Sequence, residues 1–245
     1  MSFGTALFIS IIAGLIYIQR RMLGDMQLER PIVVGPLIGL ILGDFKTGLE
    51  VGAAFELIFM GAQAIGGSVP PNIVIASVLG TTFAITTGKG IEAALVVAVP
   101  TAIVATTFEL FAKTVCPFFV HGAEKYAEKG DSKGISLMIH LGNLVHFLAY
   151  AIPTFLALYF GAEVITSLTT AIPGNVMNGI KAAGNLLPAL GFGLLLNSLG
   201  AKHLMPYFFI GFAIAAYIPG FGVMGVAVVG IALAFLLVNR KPVAN

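Results

Sequence analysis

Glu56, Gln63, Ser68 and Asn72 stand close together in a stretch that is otherwise apolar. They lie in or beside Gly66-Gly67-Ser68-Val69-Pro70-Pro71-Asn72. That run cannot stay helical throughout, because prolines lack an N–H and glycines favour turns. A carboxylate, two carboxamides and a hydroxyl supply both acceptors and donors, the set needed to bind the hydroxyls of a sugar. Phe55 or Phe59 would cover a sugar's apolar C–H face. Glu56 falls within the apolar segment Ala53–Met60, where an ionised carboxylate is costly unless it faces a polar cavity or a partner. Plainer roles stand beside these. Glu56 would pair with a basic group of a neighbouring helix, Gln63 would bond between helices, and Asn72 would cap the helix that follows. Capping does not exclude ligand contact. Glu50 reads as interfacial and Asp44 as part of a turn.

The elements that must hold these residues are membrane helices. Hydrophobic residues make up 58% of the 245 positions and charged residues 10%, against about 25% charged in an ordinary soluble domain. Mean hydropathy is +1.00. The apolar residues come in long blocks, without the alternation of a β-barrel. The fold class expected is therefore an all-α polytopic membrane bundle, with broken and re-entrant helices near the substrate site, forming one domain over residues 1–245. Phe3–Ile18 has the length of a signal segment. No basic residue precedes it and no small-x-small cleavage site follows before Arg20 and Arg21, so a retained helix is expected. Pro31–Leu42 is about half a span, ending at Gly43-Asp44. Thr47–Ile65, Ile73–Thr87 and Ile91–Ala112 read as helical, with Pro100 a kink. A charged, water-facing loop is expected at about 113–134, its charged part a short helix. Then come Ile135–Phe160, broken by Pro153, and an amphipathic stretch from Ala162 to Ala183. Leu186–Leu199, His203–Ile218 and Phe221–Val238 complete the bundle. Basic residues gather at Arg20/Arg21/Arg30, at Lys113 to Lys133 and at Arg240/Lys241. The positive-inside rule places all three in the cytoplasm and the N-terminus outside.

Discontinuous backbone at membrane depth is tolerated where it lines a cavity or is buried in protein, and it marks the binding sites of many transporters. The Gly66–Asn72 break is the candidate here. Other functions find less support. A net charge of +2 without a basic cluster gives no nucleic-acid footprint. Cys116 is the single cysteine, which excludes a disulfide framework. His121, His140, His146 and His203 form no metal-ligand pair, so neither a metal nor a cofactor is expected, and no catalytic constellation stands out. An ion-coupled secondary transporter using Glu56 as proton carrier remains open, as does an intramembrane enzyme or scaffold.

A longer run, Arg30-Pro31-Ile32-Val33-Val34-Gly35-Pro36-Leu37-Ile38-Gly39-Leu40-Ile41-Leu42-Gly43-Asp44-Phe45-Lys46-Thr47-Gly48, resembles the signature of enzyme IIC subunits of the mannose–fructose–sorbose family. That family belongs to the bacterial phosphoenolpyruvate-dependent sugar phosphotransferase system. Glu56, the Gly66–Asn72 run, Ala171-Ile172-Pro173, Gly191-Phe192-Gly193-Leu194-Leu195 and Leu204-Met205-Pro206-Tyr207-Phe208 extend the match over nearly the whole chain. The resemblance implies a multi-pass protein of the bacterial inner membrane that translocates sugar and carries no phosphorylated residue of its own. It also implies a IID membrane partner, a trimer of IIC–IID heterodimers, and cytoplasmic IIA and IIB phosphocarriers. The fold implied has a mobile core and a scaffold, with elevator-like alternating access. Glucose- and mannose-type members commonly read Pro-Pro-Asp where this chain reads Pro-Pro-Asn. The Asn form, with Leu187–Gly193, resembles the amino-sugar branch, which includes N-acetylgalactosamine transporters.

Overall fold

The computed structural model describes residues 1–62, 70–171, 189, 191–197, 204–218 and 220–238. No strand occurs among them. They divide into two units, Met1–Ser198 and Leu199–Asn245.

The first unit opens with α1 (Phe3–Met22), capped by the Ser2 hydroxyl, which accepts from the Thr5 N–H at 3.2 Å. Arg20 and Arg21 lie in its last turn, where the helix dipole favours cations. The chain then folds into two short helices, α2 (Pro31–Leu42) and α3 (Phe45–Phe59). The punctuation is local. Pro31 opens α2, where its missing N–H costs nothing. Gly43 ends it at φ +82°, a conformation that a side chain would strain. The Asp44 carboxylate accepts from the Thr47 N–H at 3.1 Å and starts α3. At ~1.5 Å per residue α2 is ~18 Å long, short of the ~30 Å apolar thickness of a bilayer. The half-length segment expected from the sequence is present.

α2 and α3 meet backbone to backbone. A Cβ on Gly35 would lie 2.5 Å from the Gly48 carbonyl oxygen and 2.6 Å from Gly52 Cα. One on Gly48 would lie 2.6 Å from the Gly35 oxygen and 2.7 Å from Gly39 Cα. Each helix thus contributes two glycines spaced one turn apart, the small-residue seam by which membrane helices approach closely.

α4 (Ile73–Thr87) is the axis of this unit, touching α1, α2, α3, α5 and α6. Every residue from Val74 to Ala84 is buried, the short hydroxyl side chains of Ser77, Thr81 and Thr82 included. Val78 and Leu79 join Ile9, Ala13, Val34, Ile38 and Leu158 in one cluster. Ala76 and Ala84 join Val51, Phe55, Ala98 and Ala102 in the other.

α5 (Gly90–Glu128) and α6 (Ser132–Ala171) are 39 and 40 residues long, ~60 Å each and about twice the bilayer core. Two expectations change here. Residues 113–128 are no separate connector, because α5 continues through them. Charge marks exposure to water, not loss of helix, and Ala123, Glu124, Lys125 and Ala127 are good helix formers. The link to α6 is the turn at Lys129–Asp131, where the Asp131 carboxylate accepts from the N–H groups of Lys133 and Gly134 at 3.1 Å each. Pro153 does not break its span either, since α6 runs through it. In that turn the Thr154 hydroxyl donates to the Tyr150 carbonyl at 2.7 Å, one way a membrane helix accommodates a proline. α6 also takes in Ala162 to Ala171, whereas residues 172–183, with Asn175, Asn178 and Lys181, lie outside the described residues.

α1 and α6 are antiparallel. The Phe3 ring meets Phe155 and Tyr159 at 5.4 and 5.6 Å, while Tyr17 stacks on Tyr150 at 3.8 Å. Arg20 and Arg21 therefore lie toward the same end of the unit as the α5–α6 turn. Residues 191–197 are helical and approach the end of α3, where a Cβ on Gly61 would lie 2.6 Å from the Gly191 carbonyl oxygen. Helices α1, α5 and α6 each contain a stretch long and apolar enough to cross a membrane. The second unit pairs α7 (Met205–Tyr217) with α8 (Gly222–Val238), neither of which carries a charged residue.

Candidate functional site

The start of α4 faces a polar cavity of about 110 Å³. α1 lends it Tyr17 and Arg20, the α1–α2 loop Asp25, Gln27, Glu29 and Arg30, α5 Glu109, and α6 Tyr150. Ala62, Pro70 and Pro71 lie on its wall too.

Asn72 is 3% exposed and holds two roles at once. Its Oδ1 accepts from the Ile75 N–H at 3.0 Å, capping α4. Its Nδ2 donates to Glu109 Oε2 at 3.5 Å, the limit of a direct hydrogen bond. The same Oε2 accepts from the Tyr150 hydroxyl at 3.1 Å, and Oε1 pairs with Lys113 Nζ at 2.9 Å. Both Glu109 oxygens thus have partners. The Asn72 N–H donates to the Ala102 carbonyl at 3.1 Å, joining α4 to α5 behind the cavity.

Glu56 lies one layer back. Its Oε1 accepts from Arg30, with Nε at 2.8 Å and Nη2 closer still, and its Oε2 accepts from the Ile32 N–H at 3.3 Å. The carboxylate therefore holds the N-terminus of α2 as well as Arg30, and reaches the cavity through Arg30. Of the other expected site residues, Gln63 and Ser68 lie outside the described residues. Phe55 and Phe59 do not line the cavity. Phe55 is 0% exposed, packed on Gly80 and edge-on to Phe59 at 6.0 Å. The aromatic wall is instead the Tyr17–Tyr150 stack, built where α1 crosses α6.

Both lining arginines are matched by carboxylates. Arg20 bonds Glu29 at 2.9 Å and Asp25 at 3.3 Å, and Arg30 takes Glu56. Burial raises the Glu29 carboxyl above its ordinary value, with Arg20 opposing. Of the residues that sequence reasoning missed, Glu109 carried a usable signal. It is a lone carboxylate in the apolar run Ala93–Ala112, the feature that singled out Glu56. Tyr150 and Tyr17 carried none, because tyrosines are ordinary in membrane helices.

The family described as "PTS system sorbose-specific iic component" matches residues 3–236. The chain belongs to this family. Among IIC relatives, the fructose permease IIC component of Bacillus subtilis is 33% identical over 214 residues, covering 87% of this chain and 79% of that one. The N-acetylgalactosamine permease IIC component 1 of Escherichia coli is 35% identical over 207 residues, covering 84% and 78%. The fold is similar to a solved membrane protein at TM-score 0.85 and 30% identity, covering 98% of this chain and 96% of that one. It is also similar to the cryoEM structure of the mannose transporter ManYZ with microcin E492, at TM-score 0.59 and 30% identity, covering 98% and 95%. This IIC chain is thus a multi-pass protein of the bacterial inner membrane and a sugar-specific component of the phosphotransferase system.

Proposed function

We propose that this IIC subunit binds its sugar at the cavity before α4 and carries it across the membrane for phosphorylation by IIB. The observation that carries the reading is the meeting of Asn72, Glu109 and Tyr150 beside a stacked tyrosine pair, with Ala62 and Pro70 on the same wall. The arginines on the wall are spent on carboxylates, so a neutral, hydroxyl-rich solute suits the site better than an anion. Glu56 acts by holding Arg30, and Gln63 and Ser68 belong to the same site through the segment that joins Ala62 to Pro70. The substrate is a hexose or N-acetylhexosamine, with N-acetylgalactosamine favoured by the Pro-Pro-Asn reading and by the relative of that name. The partners are a IID membrane subunit, in a trimer of IIC–IID heterodimers, and the IIA and IIB phosphocarriers. Residues 1–245 form one membrane-embedded IIC domain without a phosphorylated residue of its own.

The test is uptake of labelled hexoses and N-acetylhexosamines by cells expressing the chain with its IID, IIA and IIB partners. Sugar phosphate that accumulates only with phosphoenolpyruvate is expected. Free sugar driven by an ion gradient would point to the secondary-transport alternative and overturn the proposal. Tyr150→Phe keeps the ring stack, removes one hydrogen bond to a charged group worth about 1.5–3 kcal/mol, and is expected to weaken uptake. Uptake unchanged by it would move the site elsewhere.

A further inference from the structure

We propose that Asp25 and Glu29, by occupying Arg20, make the cavity reject the phosphate ester of its own sugar; this deepens the reading of the cavity as the sugar site and rests on it. A sugar enters such a site neutral, and once phosphorylated it carries a charge of about −1.5 to −2 at neutral pH. Holding that ester would take a cation with free donors, above all an arginine fork. Arg20 is the cation placed to do so. It lines the cavity with its side chain 49% exposed, whereas Arg30 is 14% exposed and bonded to Glu56. Yet Arg20 is taken from two sides, by Glu29 at 2.9 Å and by Asp25 Oδ2 at 3.3 Å. The other Asp25 oxygen accepts from Gln27 Nε2 at 2.8 Å, which braces the loop around the guanidinium. Both carboxylates belong to the α1–α2 loop, so an anion that displaced them would compete with groups held beside Arg20 by a short stretch of chain. Glu109 adds a third carboxylate to the wall, and its own cation, Lys113, does not line the cavity. Arg21 turns elsewhere, to the Tyr17 hydroxyl and a groove between α5 and α6. A dianion in the cavity therefore meets three carboxylates, and each arginine lining it is already paired. A neutral sugar meets the same groups as hydrogen-bond partners without the repulsion between like charges. The loop thus admits the sugar and favours departure of the charged product.

The experiment uses the purified complex of this chain with its IID partner and the tritiated sugar that the uptake assay selects. Displacement of that sugar is compared for three competitors: the unlabelled sugar, its 6-phosphate, and its 6-O-methyl ether, which adds bulk at the same oxygen without charge. In the parent the 6-phosphate is expected to compete at least about tenfold less well than the ether, equivalent to 1.4 kcal/mol. Asp25→Asn combined with Glu29→Gln keeps the shapes and releases Arg20. The affinity for the 6-phosphate relative to the sugar is then expected to rise at least about tenfold. Adding Arg20→Gln is expected to return that ratio to the parent's value, an outcome that a merely structural loop would not give. A ratio unmoved by the double exchange, a gain that survives Arg20→Gln, or a parent that rejects the ether as firmly as the phosphate overturns the proposal. Where the double variant fails to accumulate, Asp25→Asn alone asks the same question, since that side chain is 42% exposed. Part of the gain is expected from it, and an unchanged ratio overturns the proposal. A complex whose sugar affinity ignores Tyr150→Phe loses the sugar-site reading, and this proposal with it. One that responds to Tyr150→Phe but binds the sugar and its 6-phosphate equally loses this proposal alone.

Discussion

Arg30 donates its Nε–H to the Glu56 carboxylate at 2.8 Å, binding the start of α2 to α3 across a separation of 26 residues. The pair is largely buried, at 14% and 21% exposure, and Glu56 also takes the Ile32 N–H. Glu56→Gln keeps the shape and removes the charge. A lost charge-assisted hydrogen bond is worth about 1.5–3 kcal/mol, so melting is expected to fall and uptake to drop roughly ten- to a hundredfold as Arg30 leaves its place. The exchanged pair Arg30→Glu with Glu56→Arg is expected to recover melting more than uptake. A single variant that melts and transports like the parent would show the ion pair to be idle.

The glycine seam makes a second prediction. Gly48→Ala places a methyl against the backbone of α2, which cannot give way as a side chain tip can. Overpacking of this kind costs about 1–3 kcal/mol, and the variant is expected to accumulate poorly and melt lower. Gly142→Ala is the control, since a Cβ there meets nothing within 4 Å. In the interior of a helix that exchange is neutral to favourable by about 0.5–1 kcal/mol. Equal melting of the two variants would mean that α2 and α3 are not in contact through Gly48.

Glu29 gives the stability of the α1–α2 loop a pH dependence of definite sign. Burial lifts its carboxyl above the model-compound value of 4.5, so the folded state binds that proton more tightly than the unfolded chain. Its contribution is fully present below the unfolded value and is lost as pH rises through the raised folded value. Melting measured across that window is expected to show a component in the parent that Glu29→Gln lacks. Identical pH profiles for the two proteins would remove Glu29 from the balance.

The α5–α6 turn is expected to face the cytoplasm, on the same side as Arg20 and Arg21. In a chain with Cys116→Ser, single cysteines introduced as Glu128→Cys or Lys129→Cys should resist an impermeant thiol reagent in intact cells and react in inverted vesicles. Labelling from outside would invert the topology.

Local chemistry was legible in the residues themselves. Asn72 announces a helix start because a cap acts over three residues of adjacent chain; Asp44, read as part of a turn, caps α3 in the same way, and Pro31 and Gly43 bracket a half-length helix for equally local reasons. Hydropathy alone placed the chain in a membrane, since no soluble core could cover so much apolar surface. Pro153 misled because propensity weighs a residue in isolation, and the charged stretch after Lys113 because charge reports exposure to water and not loss of helix; α5 and α6 pack along each other and run through both. Glu56 and Glu109 carried the same signal, a lone carboxylate among apolar residues, yet nothing in the chain told them apart. Only the tertiary structure sent one to Arg30 and set the other in the cavity wall. Likewise Asn and Asp cap a helix equally well, so the cap cannot explain why position 72 holds the amide. The amide at 72 also reaches Glu109, 37 residues further on, which comes opposite only because α4 and α5 pack together through Ala76, Ala84, Ala94 and Ala98. Which helix lies opposite is decided by the packing of small side chains, and a single sequence does not display it.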